Sequence, residues 1–316
     1  MSTVAVIGAG TMGHALALVY ALGGHRVRLT DTNAQTLARA PALIETARAT
    51  LAETGEIDGS WSAPRIADAI ACTATLEDTV RGVDVVVEAI IEQPEAKRTL
   101  YAQLDALLAD DAIIASNTSY LDVFPLVPER RQARTVIVHW YTPPYLVDLV
   151  DIAPGPNTDP AVVEHMRAMV EALGKVPIGF RTLVTGYVAN RIQSAITTEV
   201  YRLLDEGLVT PDDVDKSVIH GLALRMPIVA VLAKADFTGL PLQQDALRNR
   251  TYTPPPPRDH SDTIDRLVAE GRTGVMAGRG FFDWGGRSPE DLFQERDRKL
   301  IALKQALRKI GRMEGS

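Results

Sequence analysis

One histidine, His139, lies among residues that suit proton transfer to and from an alcohol. It directly follows the apolar stretch 135–138, and the polar segment 116–119 directly follows the preceding apolar stretch. Oxidation of an alcohol needs a base for the hydroxyl proton, and histidine suits this because its unperturbed pKa is about 6.5. A carboxylate on the next apolar stretch could orient the ring. Asp148 and Asp151 are both candidates, but strand alternation allows only one of them to face His139.

A glycine-rich turn near the amino terminus has the pattern of a dinucleotide-binding loop. Gly8, Gly10 and Gly13 follow a short β-branched stretch and precede a helix-like segment. In this context the first glycine allows a tight turn, the second lets the backbone approach a pyrophosphate, and the third lets the helix pack closely on the strand. The free N–H groups at the helix start would hold the pyrophosphate. The predicted cofactor contacts in this turn are Gly8, Gly10, Thr11, Met12 and Gly13.

Asp31 ends the second predicted strand, where a carboxylate can accept hydrogen bonds from the adenosine ribose. The same charge disfavours a 2′-phosphate, because two unit charges about 4 Å apart repel by roughly 4 kcal/mol at an effective dielectric constant of about 20. Arg28 could accommodate a 2′-phosphate, but it lies inside the strand and not at its end. The sequence therefore predicts NAD as the cofactor.

Apolar strands alternate with amphipathic helices in the first half of the chain. Strand candidates occur at 4–7, 26–30, 85–87, 112–115 and 135–138, with helical stretches between most of them. Mostly apolar strands indicate a parallel sheet that is covered on both faces. From about residue 184 onward the periodicity is helical, without convincing strands. We therefore predict an α/β protein with a Rossmann-type doubly wound parallel sheet in residues 1–182 and an all-helical second domain in residues 183–316.

Charge and composition disfavour several classes of partner. The chain has 33 basic and 40 acidic side chains, which gives no electrostatic reason to bind nucleic acid or anionic lipid. Cys72 is the single cysteine, and no Cys/His cluster has the spacing of a zinc site. No stretch is apolar enough to span a bilayer, and the start has no basic signal region. These patterns predict a cytoplasmic protein that binds a small molecule and needs no metal, nucleic acid or membrane.

Together these motifs resemble those of the 3-hydroxyacyl-CoA dehydrogenase family over nearly the whole chain. The matching segments are residues 8–13, 87–97, 116–119, 139–144, 186–191 and 278–282. The resemblance implies a Rossmann domain followed by a helical domain that binds substrate and forms a homodimer.

The resemblance also implies roles for individual residues. It implies that the nicotinamide-side ribose and the phosphates are contacted by Glu92, Lys97 and Asn117. Ser119 and Asn190 are implied to hold the substrate oxygens near His139, which is implied to be catalytic. Aligning the strand after the histidine with the family pattern places Asp151 where the family has a paired glutamate, which selects Asp151 over Asp148.

The residues around His139 depart from the family pattern. Thr142 replaces the usual asparagine, Tyr120 replaces a small residue, and Trp140 replaces phenylalanine. Asp151 is one methylene shorter than the glutamate it replaces. These differences predict a reshaped substrate pocket.

The segment 51–60 bears on the substrate. Acyl-CoA members of the family have a lysine-rich helical extension there, whereas this segment is short and acidic, which disfavours a polyphosphate such as CoA. Together with residues 143–145 and 190–193, it resembles the lambda-crystallin and L-gulonate 3-dehydrogenase branch, whose members handle free hydroxy acids. The leading prediction is NAD-dependent oxidation of an L-3-hydroxy acid, or of its CoA thioester, to the 3-oxo compound, with His139 as general base.

Two alternatives stay open. The substrate could be a small aromatic or heteroaromatic alcohol, since Trp140 and Tyr141 offer a stacking surface. The chain could also be a crystallin-like protein that binds NADH without catalysis. A free acid would need a cation for its carboxylate, for which the candidates are Arg191, Arg225 and Lys234.

Overall fold

The computed structural model describes residues 1–250, 252–256 and 258–311. The chain divides into two compact units, Met1–Tyr187 and Val188–Ser316. The first unit contains one eight-stranded sheet with helices, and the second is made mainly of helices. The Rossmann-type α/β fold followed by a helical region is therefore confirmed.

The sheet of the first unit is mostly parallel. Its strands are β1 (Thr3–Ile7), β2 (Arg26–Thr30), β3 (Ile70–Cys72), β4 (Val85–Glu88), β5 (Ile113–Ser116), β6 (Thr135–Trp140), β7 (Leu149–Pro154) and β8 (Val176–Gly179). Their order across the sheet is β3-β2-β1-β4-β5-β6-β7-β8. Neighbours from β3 to β6 pair in parallel, β7 pairs with β6 in the antiparallel direction, and β8 is again parallel to β7.

The direction of β7, which β8 shares, departs from the doubly wound parallel sheet that the sequence predicts. A parallel return requires a crossover of about a dozen residues or more, usually a helix. The connection between Trp140 and Leu149 is shorter than that, so the chain turns back beside β6. The alternation of apolar residues does not distinguish these two directions.

Helices cover the sheet on both faces, and their first turns are capped by side chains in several places. The helices of the first unit are α1 (Gly13–Leu22), α2 (Ala34–Glu53), α3 (Ala63–Ala69), α4 (Leu76–Val80), α5 (Pro94–Leu107), α6 (Glu129–Gln132) and α7 (Pro160–Ala172), with a 3₁₀ turn at Phe124–Leu126. Asn33, Thr75 and Asp159 accept backbone hydrogen bonds at the starts of α2, α4 and α7.

The core of the first unit follows from strand alternation. Ala5 and Val86 point to one face of the sheet, where they pack with Leu104 and Tyr101 of α5. On β1, Val4 and Val6 are also fully buried, because the opposite face is covered as well. On β4 and β5 the polar side chains, Glu88 and Ser116, lie where the strands reach their carboxyl ends. The polar side chains of these two strands thus lie at the carboxyl-terminal edge of the sheet.

The second unit consists mainly of helices. These are α8 (Tyr187–Asp205), α9 (Pro211–Ser217), a π-helical turn at Val218–Ala223, α10 (Met226–Val229), α11 (Leu232–Thr238), α12 (Leu240–Arg248), α13 (Asp262–Ala269), a 3₁₀ turn at Val275–Ala277, and α14 (Pro289–Ile310). Asp205 at the end of α8 accepts hydrogen bonds from Ser261 Oγ and Thr263 N, which fixes the start of α13 against α8.

In the described ranges, no single helix is both long and apolar enough to cross a bilayer. The segments Pro211–Val229 and Leu232–Thr238 pass the length and composition test only as a pair, and a bend of 100° separates them.

Candidate active site

The glycine loop between β1 and α1 has the geometry that a dinucleotide requires. Gly8 has a φ of +97°, and a Cβ added there would lie 2.5 Å from the Ala89 carbonyl oxygen. A Cβ on Gly13 would overlap the Gly8 carbonyl, so α1 packs directly on the loop, whereas a Cβ on Gly10 would meet no atom within 4 Å. Met12, the residue before α1, makes no side-chain cap, which leaves the first N–H groups of the helix for a ligand. The loop therefore fits the pyrophosphate of NAD.

Asp31 is held next to this loop at the end of β2. Its Oδ2 accepts a hydrogen bond from Ala9 N at 2.7 Å, and its Oδ1 accepts one from Asn33 N at 2.7 Å. An ionised carboxylate offers about four acceptor positions, so two remain for ribose hydroxyls. Arg28 donates instead to the Arg81 carbonyl oxygen at 2.5 Å. It is therefore occupied by the loop after α4, which removes it as a candidate for binding a 2′-phosphate.

His139 and Asp151 lie directly opposite each other on β6 and β7. His139 Nδ1 is 3.2 Å from Asp151 Oδ2, and both residues are buried. The other candidate carboxylate, Asp148, precedes β7 and forms an ion pair with Lys175 at 3.4 Å. The antiparallel register thus brings Asp151, and not Asp148, to the histidine.

The segment after β5 brings a hydroxyl to the other side of the histidine ring. Ser119 Oγ lies 3.2 Å from His139 Nε2. Asn117 Oδ1 accepts a hydrogen bond from Trp140 N at 2.8 Å, and Asn117 N donates to the Glu88 carbonyl oxygen at 2.8 Å. This segment is therefore tied to both neighbouring strands. The contact of Asn117 with the nicotinamide ribose stays a prediction.

Glu92 holds the Ser119 segment in place. Its Oε1 accepts hydrogen bonds from Thr118 Oγ1 at 2.6 Å, from Ser119 N at 2.8 Å and from Tyr120 N at 3.0 Å. Burial opposes ionisation of this carboxyl, but these hydrogen bonds and the charge of Lys97 outweigh it and lower the pKa of Glu92. The carboxylate therefore stays ionised at neutral pH.

Glu92 belongs to a network of buried charged residues. Lys97 Nζ lies 2.7 Å from Glu88 Oε1 and 3.2 Å from Glu92 Oε2, and its side chain is only 1% exposed. Glu88 also accepts hydrogen bonds from Tyr101 OH at 2.7 Å and from Ser116 Oγ at 2.6 Å. The implied contact of Lys97 with the cofactor stays a prediction, because in this structure its ammonium pairs with two carboxylates.

The sequence analysis did not single out Glu88. Its signal is a carboxylate that ends a strand of three buried valines, Val85–Glu88, and that lies within the matched segment 87–97. A charged residue in that position is almost never buried unless it is paired. The partner Lys97 is nine residues further along, and no pattern in the sequence joins the two.

Of the two aromatic residues that the sequence suggested beside His139, Tyr141 contacts its ring and Trp140 does not. Trp140 is 2% exposed and its ring packs against Tyr20, with 5.9 Å between ring centroids. Strand alternation turns it to the face opposite His139. The expectation that Trp140 offers a stacking surface to substrate is therefore wrong. Tyr187 stacks on the His139 ring at 4.5 Å, and Tyr141 meets it edge-on at 4.7 Å.

The remaining predicted site residues lie in two places. Thr142 Oγ1 donates to Met12 Sδ at 3.0 Å, so the loop after β6 reaches the glycine loop that also contains Thr11. Asn190 lies in the first turns of α8 and belongs to the second unit, as do Arg191, Arg225 and Lys234. Their roles at the substrate stay predictions. Within the described ranges, no group of three or more His, Cys, Asp or Glu side chains could hold a metal ion.

A dinucleotide loop with an acidic residue at the end of β2, on a sheet that also carries a histidine–carboxylate pair, defines an NAD-binding dehydrogenase of the Rossmann class. The comparisons with known proteins agree. Residues 3–182 match the NAD binding domain of 3-hydroxyacyl-CoA dehydrogenase, and residues 186–284 match its C-terminal domain. The chain belongs to the 3-hydroxyacyl-CoA dehydrogenase family, whose members are NAD-dependent dehydrogenases.

Individual relatives cover most or all of the chain. Lambda-crystallin of Oryctolagus cuniculus is 33% identical over 72% of this chain and 72% of its own length. L-carnitine dehydrogenase of Nocardiopsis dassonvillei is 30% identical over 99% and 94% of the two chains. The 5-formyl-3-hydroxy-2-methylpyridine 4-carboxylate 5-dehydrogenase of Mesorhizobium japonicum is 30% identical over 96% and 97%. A solved structure of an enzyme with this activity, described as an NAD+-dependent dismutase, matches with a TM-score of 0.86 at 26% identity, covering 99% and 100%.

The Asp31→Ala variant tests the origin of cofactor choice. The variant loses the acceptor for the ribose hydroxyls, so we expect weaker NADH binding. It also loses the charge that repels a 2′-phosphate, so we expect the preference for NAD over NADP to fall at least about tenfold. A change of that size is only a fraction of the repulsion of roughly 4 kcal/mol between the two charges. Fluorescence titrations with NADH and NADPH measure both affinities. Asp84→Ala is the matched control, because Asp84 also accepts a backbone hydrogen bond, from Thr3 N, but precedes β4 at the opposite edge of the sheet. An unchanged preference in the Asp31 variant would contradict this assignment.

Proposed function

We propose that this chain catalyses the NAD-dependent oxidation of an L-3-hydroxy acid to the 3-oxo acid, and the reverse reduction, with His139 as the proton-transfer group. The observation that carries the proposal is the position of His139 between a hydroxyl and a carboxylate. Ser119 Oγ lies 3.2 Å from Nε2 of the ring, and Asp151 Oδ2 lies 3.2 Å from Nδ1. This arrangement suits a base whose second nitrogen is oriented by an acid.

The protonation of the ring follows from its partners. An ionised carboxylate can only accept a hydrogen bond, so the Asp151 contact assigns the proton of neutral His139 to Nδ1. Nε2 then carries the lone pair, on the side where Ser119 lies. In the oxidation direction Nε2 takes the hydroxyl proton of the substrate, and Asp151 stabilises the imidazolium that results. NAD, when bound, accepts the hydride that leaves the carbinol carbon.

Ser119 holds the substrate oxygen within reach of the base. Its backbone N–H is fixed by Glu92 Oε1 at 2.8 Å, so the hydroxyl keeps its position beside His139. A hydroxyl can donate to the substrate oxygen while the ring nitrogen receives the proton. Holding the reacting groups in this way contributes to catalysis because it removes the entropy of bringing them together.

A free acid is favoured over a CoA thioester by the connection between α2 and α3. No lysine occurs between residues 34 and 69, and Glu53 at the end of α2 and Asp58 in the connection are both exposed. Carboxylates at that position would repel the phosphates of CoA. The relative named L-carnitine dehydrogenase, whose name specifies a free 3-hydroxy acid, supports the same choice.

A heteroaromatic alcohol or aldehyde is the second candidate substrate. Tyr120, which directly follows Ser119, is 60% exposed, and the partly exposed ring of Tyr141 meets His139 edge-on. Aromatic faces stack well on a planar ring. The relative that acts on a substituted pyridine matches this chain over nearly its whole length in sequence and structure. The same base would serve either substrate.

Replacing the histidine tests the catalytic role. In His139→Asn we expect kcat to fall by about 10²- to 10⁴-fold, the usual contribution of a positioned base, while NADH affinity changes little. Stopped-flow or steady-state absorbance of NADH gives the rate, and fluorescence titration gives the affinity. His165→Asn, on the exposed surface of α7, is the control and should keep full activity. Full activity in the His139 variant would eliminate the proposed mechanism.

A substrate panel separates the candidate classes. We expect free 3-hydroxy acids to give a kcat/KM at least about tenfold higher than their CoA thioesters, a difference of about 1.4 kcal/mol in transition-state binding. The measurement is NADH formation with matched acids, thioesters and hydroxymethylpyridine carboxylates. A preference for the thioesters refutes the free-acid proposal, and a preference for the pyridines selects the second candidate. NADH binding without turnover of any compound would favour a crystallin-like role.

We also propose that the protein is a homodimer through its second unit. Most large apolar side chains from the π-helical turn to α12 are exposed, namely Ile219, Leu222, Leu224, Met226, Val231, Leu232, Phe237, Leu240, Leu242 and Leu247. An apolar surface of this extent is typical of an interface.

Light scattering on a gel-filtration peak is expected to give twice the chain mass. The double variant Leu232→Glu/Phe237→Glu should reduce it towards the monomer, because each charge would be buried at the interface. Leu107→Glu, on α5 of the first unit, is the control and should stay dimeric. A monomeric wild type at micromolar concentration would contradict the proposal.

A further inference from the structure

Asp151 has a second hydrogen-bond donor besides the histidine. Tyr141 OH lies 2.6 Å from Asp151 Oδ2, the same oxygen that His139 Nδ1 approaches at 3.2 Å. The tyrosine contact is thus the shorter of the two. A hydroxyl that donates to a charged oxygen makes a strong hydrogen bond and withdraws part of its negative charge. The charge that Asp151 presents to His139 therefore depends on Tyr141.

Local structure explains how Tyr141 reaches this oxygen. His139 and Asp151 are register partners on β6 and β7, and Tyr141 is two residues after His139, so it returns to the same face of the sheet. Its ring meets the histidine ring edge-on, with 4.7 Å between centroids. Tyr141 therefore contacts both members of the pair, one through its ring and one through its hydroxyl.

The other ionisable groups around His139 are already bound to different partners. Tyr187 stacks on the ring, but its hydroxyl donates to the Thr118 carbonyl oxygen at 2.6 Å. Burial raises the pKa of Tyr187, and the charges of Asp151 and Glu92 raise it further, so its phenol stays neutral. Glu92 is neutralised in part by Lys97. Within the first unit, Asp151 is thus the charge in direct contact with the ring, and Tyr141 is the donor that shares it.

We infer that Tyr141 is a positioning residue of the proton-transfer unit: through its hydroxyl it fixes the short Asp151 side chain and limits how strongly that carboxylate stabilises the charged imidazole. The inference rests on the proposed role of His139 as base. A side chain one methylene shorter than glutamate needs a second contact to stay in line with the ring. The hydroxyl of Tyr141 supplies this contact, and at the same time it draws part of the carboxylate charge away from the ring.

The Tyr141→Phe variant isolates the hydroxyl, since the ring and its contact with His139 are kept. Without the donor, Asp151 Oδ2 gives its full charge to the imidazolium. The rising limb of kcat/KM against pH for the oxidation is then expected to move to higher pH by about half a unit to one unit, a three- to tenfold change in proton affinity. The plateau of kcat is expected to fall severalfold, and the KM for NAD is expected to stay the same. A limb that does not move, or that moves to lower pH, overturns the inference.

Two further variants separate an effect on the charge of Asp151 from a simple loss of packing around His139. Tyr187→Phe removes the hydroxyl of a tyrosine that stacks on the same ring but makes no hydrogen bond to Asp151. The rising limb of kcat/KM against pH should therefore stay at the wild-type position in this variant. In the Asp151→Glu background the longer carboxylate reaches the ring without help, so adding Tyr141→Phe should move the limb by less than half of the shift seen with aspartate. An equal shift in both backgrounds would contradict the positioning role.

A measurement without turnover distinguishes failure of this inference from failure of the proposed function. Nuclear magnetic resonance of the full-length protein with isotope-labelled histidine and saturating NAD follows the His139 titration directly. The titration midpoint should move upward in Tyr141→Phe, whether or not His139 turns out to be the base. An unchanged midpoint refutes the role of Tyr141. A shifted midpoint together with full activity of His139→Asn would refute the catalytic assignment alone.

Discussion

The antiparallel pairing of β6 with β7 is the constraint on which the candidate active site depends. It sets His139 directly opposite Asp151, and it leaves Tyr141 on the same face two residues later. A slip of one residue in this register would turn Asp151 to the other face of the sheet, because side chains alternate along a strand. The short connection between the two strands and the buried side chains that flank the pair hold the register in place.

The buried charges between β4 and α5 form the second support of the site. Glu88 and Lys97 are both almost fully buried and bind each other, and Lys97 also meets Glu92. Removal of one partner would leave an unpaired charge in the interior, which costs about 3–5 kcal/mol. The network therefore fixes Glu92, and through Glu92 the backbone that carries Ser119. The cofactor loop, the Ser119 segment and the His139–Asp151 pair all lie at the same edge of one sheet. The rigid sheet therefore fixes the distances between these groups.

The two units differ in how completely they bury their apolar side chains. In the first unit the central strands β4, β5 and β6 are buried along their whole length, and the inner faces of the helices pack on them. In the described part of the second unit, Leu267 and Ile301 are the only buried apolar side chains, while many leucines are exposed. A unit with so little core of its own depends on further packing for stability, which agrees with the proposed pairing of two chains.

Much of the fold follows from local patterns in the sequence. Gly8, Gly10 and Gly13 between a strand and a helix predict the cofactor loop, since only a backbone without Cβ atoms allows that turn and that packing. Alternating apolar strands and helices predict the Rossmann sheet, and the position of His139 after a strand predicts its edge of the sheet. These signals are local, because spacing along the chain fixes them before any tertiary contact forms.

Only the tertiary structure decided the rest. The direction of β7, the inward turn of Trp140, and the meeting of Glu88 with Lys97 depend on which elements pack together, and spacing along the chain does not encode that. The same holds for Tyr141, whose hydroxyl reaches Asp151 only because two strands pair in one register. The sequence by itself determined which residues could do chemistry and at which edge of the sheet they lie. Packing determined which of them touch, because a hydrogen bond requires atoms within about 3 Å, a distance that only the folded chain sets.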